Sequence, residues 1–239
     1  MGNVQQRKIM ETTMWSGLFD IDGTLIRTGG AGLKAIEAVL RRRFQIESMP
    51  KVAVHGRTDT GIWQELFSHL RIPLPDDLKP YFSEYCERLS QTLKRNDGVE
   101  LPGCREILRR LSTEPRVKVG LLTGNVRAAA NIKMEVFDMD QFFDGFGGFG
   151  DDFACRNHVA KQAVESAQKS LGIQFDPSKV VVIGDTVKDI ECGKHIGARV
   201  IAVATGGDRE ADLVKAKPDY IFEDLSDVER FIRIFEESR

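Results

Sequence analysis

Leu18-Phe19-Asp20-Ile21-Asp22-Gly23-Thr24-Leu25 is a short apolar run, begun near Trp15, that breaks into two carboxylates and a glycine. Such a break predicts a buried strand opening into a loop. Two carboxylates one residue apart at the C-terminal end of a strand can reach one site, where a parallel α/β sheet keeps its ligand crevice. Gly23 lets the backbone turn sharply behind them. An Asp-x-Asp tripeptide alone would suit a polar strand-to-helix turn; the full six residues from Asp20, after an apolar strand, point to a site.

Three further runs, Val117 to Leu122, Val180 to Ile183 and Val200 to Val203, are compact and apolar rather than alternating, as parallel strands covered on both faces require. Helical stripes lie between and after them: Val159, Ala163, Ala167 and Leu171, then Leu225, Val228, Ile232 and Phe235. Strands alternating with helices predict a doubly wound, Rossmann-like α/β domain with a parallel sheet. Two of these strands also end in polar groups. Thr123-Gly124-Asn125 offers a hydroxyl and backbone N–H groups before a helix, which suits an anion, although Thr123 or Asn125 would serve equally as a helix cap. Gly184-Asp185-Thr186, with Asp189 four residues past Asp185, offers hard oxygen ligands for magnesium. Asp185 as a helix cap is the alternative; a third strand end with suitable polar groups favours the metal.

From about Gly29 to Glu100 the pattern changes to three helical stripes with no buried strand between them. They are Leu33, Ile36, Val39 and Leu40; Ile62, Trp63, Leu66, Phe67 and Leu70; and Leu78, Tyr81, Phe82, Tyr85, Leu89 and Leu93. Pro102-Gly103 marks the return to the first pattern. The expected organisation is an α/β core from residues 14–28 and 100–239 with an inserted helical domain from 29–99. Residues 1–13 are polar and without period, and are expected to be a mobile lead-in.

Composition narrows the partners. Lys plus Arg number 34 against 36 Asp plus Glu, so no net field draws the chain to nucleic acid or to an anionic membrane. No stretch is apolar and long enough to span a bilayer. A small molecule is the expected partner. The four cysteines, Cys86, Cys104, Cys155 and Cys192, are widely spaced and no apolar signal segment precedes the first strand, which predicts reduced thiols in a cytoplasmic protein. Met1-Gly2-Asn3 opens like a myristoylation signal, but Gln6 stands where Ser or Thr is needed.

Taken together, these segments resemble the haloacid dehalogenase superfamily. Asp20 to Leu25 (DIDGTL) matches its first motif, Thr123 its second, and Gly184 to Asp189 (GDTVKD) its fourth. The stretch from Gly184 to Gly207 resembles the phosphoglycolate-phosphatase-like branch, whose helical cap is inserted right after the first motif. The resemblance implies a magnesium-dependent phosphatase acting on a small phosphorylated metabolite. Asp20 would be the nucleophile, forming an aspartyl-phosphate, and Asp22 the acid and then the base. Magnesium would be held by the Asp20 carboxylate, the Asp22 backbone carbonyl and Asp185, with Asp189 a further ligand or a support behind them. Thr123 and the Gly124 N–H would hold the phosphoryl group. An anionic nucleophile approaching an anionic phosphate meets a repulsion of about 4 kcal/mol per charge pair at ~4 Å and an effective dielectric near 20, so a metal and a cationic side chain must offset it.

That cation is where the chain departs from the family pattern, because relatives commonly carry Lys-Pro before the helix leading to the fourth motif and none stands there. Arg156 and Lys161 are the candidates. Arg156 lies at the expected loop-to-helix junction, whereas Lys161 falls roughly 200° around the helix from Val159 and so toward solvent. Arg156 is therefore assigned the role, binding phosphate as well as orienting Asp20. Of the inserted domain, His55 and Arg57 lie in an inter-helix loop that relatives turn toward the active site; a surface turn is the alternative.

Other patterns carry less. Gly145 to Gly150 matches G-x-G-x-x-G literally but lacks the helix directly after it that a dinucleotide site needs, so it reads as a glycine-rich strand and turn. Arg41, Arg42 and Arg43 end a helical stripe and are expected to face water. The four histidines have no zinc spacing. Asp22 argues against dehalogenation, since the dehalogenases that name the superfamily lack this second aspartate. A phosphosugar mutase would keep it and is the alternative enzyme, and a non-catalytic binding module on the same fold is the alternative outside enzymes.

Overall fold

The computed structural model describes residues 14–93 and 98–236. The expected lead-in at 1–13 lies outside the described residues. The apolar runs form a parallel sheet: β1 (Trp15–Phe19), β4 (Val117–Leu122), β5 (Gly147–Gly148), β6 (Val180–Gly184), β7 (Arg199–Val203) and β8 (Tyr220–Phe222), in the spatial order β5-β4-β1-β6-β7-β8. The chain therefore builds outward from β1 to one side and then returns to build on the other. A crevice opens at the C-terminal end of the strands where such a reversal occurs. Register places the two flanking strands level with β1, with Phe19 beside both Leu121 and Ile183.

The sheet is covered on both faces, and successive residues serve opposite sides. Phe19, Val181 and Ile183 enter one cluster with Ile107, Met134, Phe231 and Phe235, while Leu18, Val180 and Val182 enter another with Val159, Ala163 and Ala167. Each fully buried Leu, Ile or Phe contributes about 1.5–3 kcal/mol relative to exposure. The covering helices are α4 (Cys104–Thr113), α5 (Arg127–Val136), α6 (Arg156–Leu171), α7 (Val187–His195), α8 (Glu210–Ala216) and α9 (Val228–Arg233). Helix α6 starts at Arg156, the expected loop-to-helix junction, three residues before the first apolar position of its stripe. One expectation needs correction here. The C-terminal helix is shorter than its stripe: it buries Phe231, and Leu225 packs from the preceding loop.

Between β1 and β4 lie α1 (Ala31–Phe44), α2 (Asp59–Leu70) and α3 (Lys79–Leu93), which share their own apolar cluster around Trp63, Phe67 and Tyr85. A two-strand pairing of β2 (Ile26–Arg27) with β3 (Val99–Glu100) brackets them. Leu33, expected in the core, is 42% exposed, and Ala31 and Ala35 take the buried face instead. Arg42 and Arg43 do not simply face water. Both bind the buried Glu84 carboxylate, at 2.9 and 2.7 Å, and tie α1 to α3, holding its pKa down against the cost of burial.

Candidate active site

Asp20 is the residue immediately after β1, with its N–H bonded to Ile183 O at 2.9 Å, so the strand pairing itself fixes its position between β4 and β6. It is 5% exposed. Thr123 follows β4 and Asp185 follows β6, and both are buried within the same crevice. Neither is a helix cap. Thr186 caps α7, in a reciprocal box with Asp189, and the first N–H groups around α5 go to carboxylates from elsewhere: Val126 N–H to Asp59 Oδ2 and Arg127 N–H to Asp151 Oδ2, each at 2.8 Å. Asp185 is instead oriented by Thr24 Oγ1, which donates to its Oδ1 at 3.0 Å, and by the Gly207 N–H, which donates to its Oδ2 at 2.9 Å. Thr123 Oγ1 accepts from Asn125 Nδ2 at 2.8 Å, leaving its own proton for an acceptor in the crevice.

Arg156 is brought to this centre and Lys161 is not. The guanidinium, on a residue 6% exposed, places Nη2 3.0 Å from Asp20 Oδ1 and 2.5 Å from Asp189 Oδ1, and donates to Leu122 O at 3.2 Å. Lys161 is exposed on α6. Burial alone would lower the Arg156 pKa, but Asp189 and Asp20 outweigh it and hold the pKa above its ordinary value.

The electrostatics are unbalanced. Burial, reinforced by Asp189 and Asp22, raises the Asp20 pKa to about 6 despite the opposing pull of Arg156. Asp185 is pushed well up by burial and by Asp20 and Asp189. Carboxylate oxygens of Asp20, Asp185 and Asp189 lie within 4.8 Å of one another, three negative groups against one guanidinium. Asp189 Oδ1, though close to Arg156, has no hydrogen bond directed at it. Hard oxygen donors with an excess of two negative charges fit a divalent cation such as magnesium. Asp189 Oδ2 is taken up by the Thr186 N–H and hydroxyl, at 3.0 and 2.7 Å.

The Asp22 carboxylate stays outside that cluster. It turns to Lys133, whose Nζ is 2.5 Å from Asp22 Oδ2 and donates to Asn125 Oδ1 at 2.7 Å; Asn125 Nδ2 donates to the same Asp22 oxygen at 2.8 Å. Lys133 is 3% exposed. Sequence reasoning missed it, although a signal existed: it falls on the stripe of Ala129, Ala130 and Met134, where a lysine is out of place unless paired.

His55 and Arg57 both line the crevice, so their loop is not a free surface turn. Arg57 is engaged, however, by Glu65 and by Gly61 O. The start of α2 is docked on the core loops: Asp59 N–H bonds Gly124 O at 2.7 Å, and Thr60 Oγ1 donates to Gly150 O and Asp151 O at 2.7 Å. The glycine-rich stretch is explained by this crowding, because a Cβ on Gly148 would overlap the Val159 carbonyl and one on Gly150 the Gly124 carbonyl.

Residues 18–203 match the family of haloacid dehalogenase-like hydrolases, and the chain belongs to it. The chain is similar to a pyrophosphatase, PpaX, of Listeria monocytogenes, 24% identical with 90% of this chain and 95% of the relative covered. Among solved structures, a predicted phosphoglycolate phosphatase from Haemophilus somnus superimposes with a TM-score of 0.67 at 17% identity, covering 93% of this chain and 98% of that one. A putative beta-phosphoglucomutase from Thermotoga maritima does so with a TM-score of 0.61 at 20% identity, covering 92% and 99%. Among the described residues no helix is long and apolar enough to cross a membrane.

Proposed function

We propose that this hydrolase is a magnesium-dependent phosphatase for a small organic phosphate monoester, phosphoglycolate-phosphatase-like in design, acting through an aspartyl-phosphate. The observation that carries the reading is the buried Arg156 guanidinium placed against Asp20, just after β1, and Asp189, in the first turn of the helix that follows the adjacent strand β6. Residues 29–99 serve as the cap over the site. The free thiols of Cys86, Cys104, Cys155 and Cys192 accord with a reducing, cytoplasmic setting.

Asp20 and Asp185 would hold the metal together with the Asp22 backbone carbonyl, with Asp189 supporting Arg156 from behind. When bound, magnesium supplies charge neutralisation for the phosphoryl oxygens. Thr123 and the Gly124 N–H orient the phosphoryl group, and Arg156 offsets the charge between it and Asp20. An Asp20 oxygen attacks phosphorus, the bond from phosphorus to the ester oxygen breaks, and Asp22 gives its proton to the departing alkoxide. Asp22 then takes a proton from water, whose oxygen bonds to phosphorus, and the Asp20 carboxylate leaves with inorganic phosphate as the product.

The test is release of inorganic phosphate from a panel of phosphate esters with magnesium, by the wild type and by Asp20→Asn. Abolished turnover with an unchanged circular dichroism spectrum in the variant supports the scheme; substantial residual activity rejects Asp20 as nucleophile. Formation of an isomeric sugar phosphate without phosphate release would assign the mutase reaction instead. Asp22→Asn should slow alkyl phosphates more than p-nitrophenyl phosphate, whose leaving group hardly needs a proton.

A further inference from the structure

The crevice continues past the catalytic groups into a cavity of about 400 Å³ between the core and helices α1 to α3. The core side carries Asp20, Thr123, Arg156 and Asp185; the side formed by the inserted helices and their loop carries Leu33, Ile36, Val54, Ile62 and Tyr85. Leu33 of this second wall is 42% exposed. The Tyr85 hydroxyl, on a side chain 2% exposed, has no hydrogen-bond partner among the described residues, and it borders the same space.

The cations of the lining are committed. Arg156 pairs with Asp20 and Asp189, Lys133 with Asp22, and Arg57 with Glu65. Arg27 is exposed and has no carboxylate partner among the described residues; its Nη2 donates to Thr205 O at 2.6 Å. His55 lies against Gly207, and the remaining acidic groups of the lining are Asp22 and Asp59. Among the described residues, a second anionic group on the substrate would meet Asp59 and a wall of hydrocarbon, with the buried side-chain cations of the crevice already paired, and would lose hydration for little return.

We propose, on the basis of the phosphatase reading, that the leaving group is an uncharged, partly apolar alcohol carrying a polar atom for Tyr85, rather than a carboxylate-bearing alcohol or a second phosphate. The phosphate of such an ester enters the polar side, and its carbon body displaces water from the wall of Leu33, Ile36 and Ile62. Selection in an apolar pocket changes by about 10-fold or more per methylene, so a graded series of esters reads the wall directly.

The experiment measures kcat/KM by phosphate release, using the full chain with magnesium, on ethyl, butyl and benzyl phosphate, phosphoglycolate and pyrophosphate, with acetyl phosphate as a small activated reference. The inference predicts a rise of at least tenfold from ethyl to benzyl phosphate, with phosphoglycolate and pyrophosphate at least tenfold below butyl phosphate. Leu33→Lys, at a site exposed enough to accept a cation, should narrow the gap between butyl phosphate and phosphoglycolate at least tenfold. Turnover of acetyl phosphate with phosphoglycolate or pyrophosphate ranked first among the others, or with no rise along the series, overturns the inference and leaves the phosphatase reading standing. No phosphate release from any compound, acetyl phosphate included, overturns both.

Discussion

The ammonium of Lys133 sits 2.5 Å from Asp22 Oδ2, on a residue with almost no access to water. The Asp22 side chain, 42% exposed, is thereby tethered to α5 rather than left to rotate above the crevice. Lys133→Met should lower kcat on alkyl phosphates at least tenfold and on p-nitrophenyl phosphate much less, because an acid held out of place matters most for a poor leaving group. Equal losses on both substrates would reduce Lys133 to a structural support. Lys133→Arg should restore part of the difference.

Arg156 and Lys161 lie five positions apart on one helix, and the structure gives them opposite surroundings. Arg156→Ala leaves three mutually close carboxylates without their cation. It should cut kcat by about two or more orders of magnitude, as losing an aligned charge-stabilising donor does, and should lower Tm as well. Arg156→Lys should recover only part of the activity, since the shorter stem must bring its one ammonium to the point where Nη2 now meets Asp20, Asp189 and the Leu122 carbonyl. Lys161→Ala should match the wild type in steady-state kinetics and melting temperature.

Magnesium should stabilise the protein more at pH 7.5 than at pH 5. The Asp20 pKa is raised to about 6, and that of Asp185 is raised too, so folding favours their protonated forms. Without metal, the contribution of these two groups to stability is therefore greatest below the unfolded-state carboxylate pKa and falls as pH rises through about 6. A divalent cation offsets this loss above that pH and must displace protons below it. Thermal melts with and without magnesium across this range check the prediction. A metal-induced shift that shrinks with rising pH would contradict it.

Asp59 carries a similar cost with a separable remedy. Burial raises its pKa to about 6, against the pull of the Val126 N–H and Lys133, so its anion is disfavoured in the folded protein. Asn retains an oxygen for the Val126 N–H while removing the charge. Asp59→Asn should then raise stability at pH 8 by about 1–3 kcal/mol, following ~1.4 kcal/mol per pKa unit, and leave it unchanged at pH 4. Urea denaturation at the two pH values distinguishes this from a uniform effect.

The sheet and the strand ends that meet at the crevice were legible because parallel strands buried on both faces leave compact apolar runs, and because Asp20, Thr123 and Asp185 each follow such a run directly. Arg156 was legible by its place at a helix start, although the helix begins three residues before its first apolar position. Lys133 was not, since its partners Asp22 and Asn125 lie 111 and 8 residues away and only the fold brings them together. The state of Arg57 was hidden for a related reason: position in a loop says that a side chain can reach the crevice, not that Glu65 already holds it. The shared grip of Arg42 and Arg43 on Glu84 was likewise invisible to a local count of charges at a helix end.

The two margins of the sheet are minimal. β5 spans two residues, Gly147 and Gly148, and β8 spans three. Strand addition from another molecule depends on a row of open backbone donors and acceptors, and short margins deny it that template. The core can thus be rich in Val and Ile, the residues that favour cross-β stacking, while its native state gives little purchase to self-templated polymerisation.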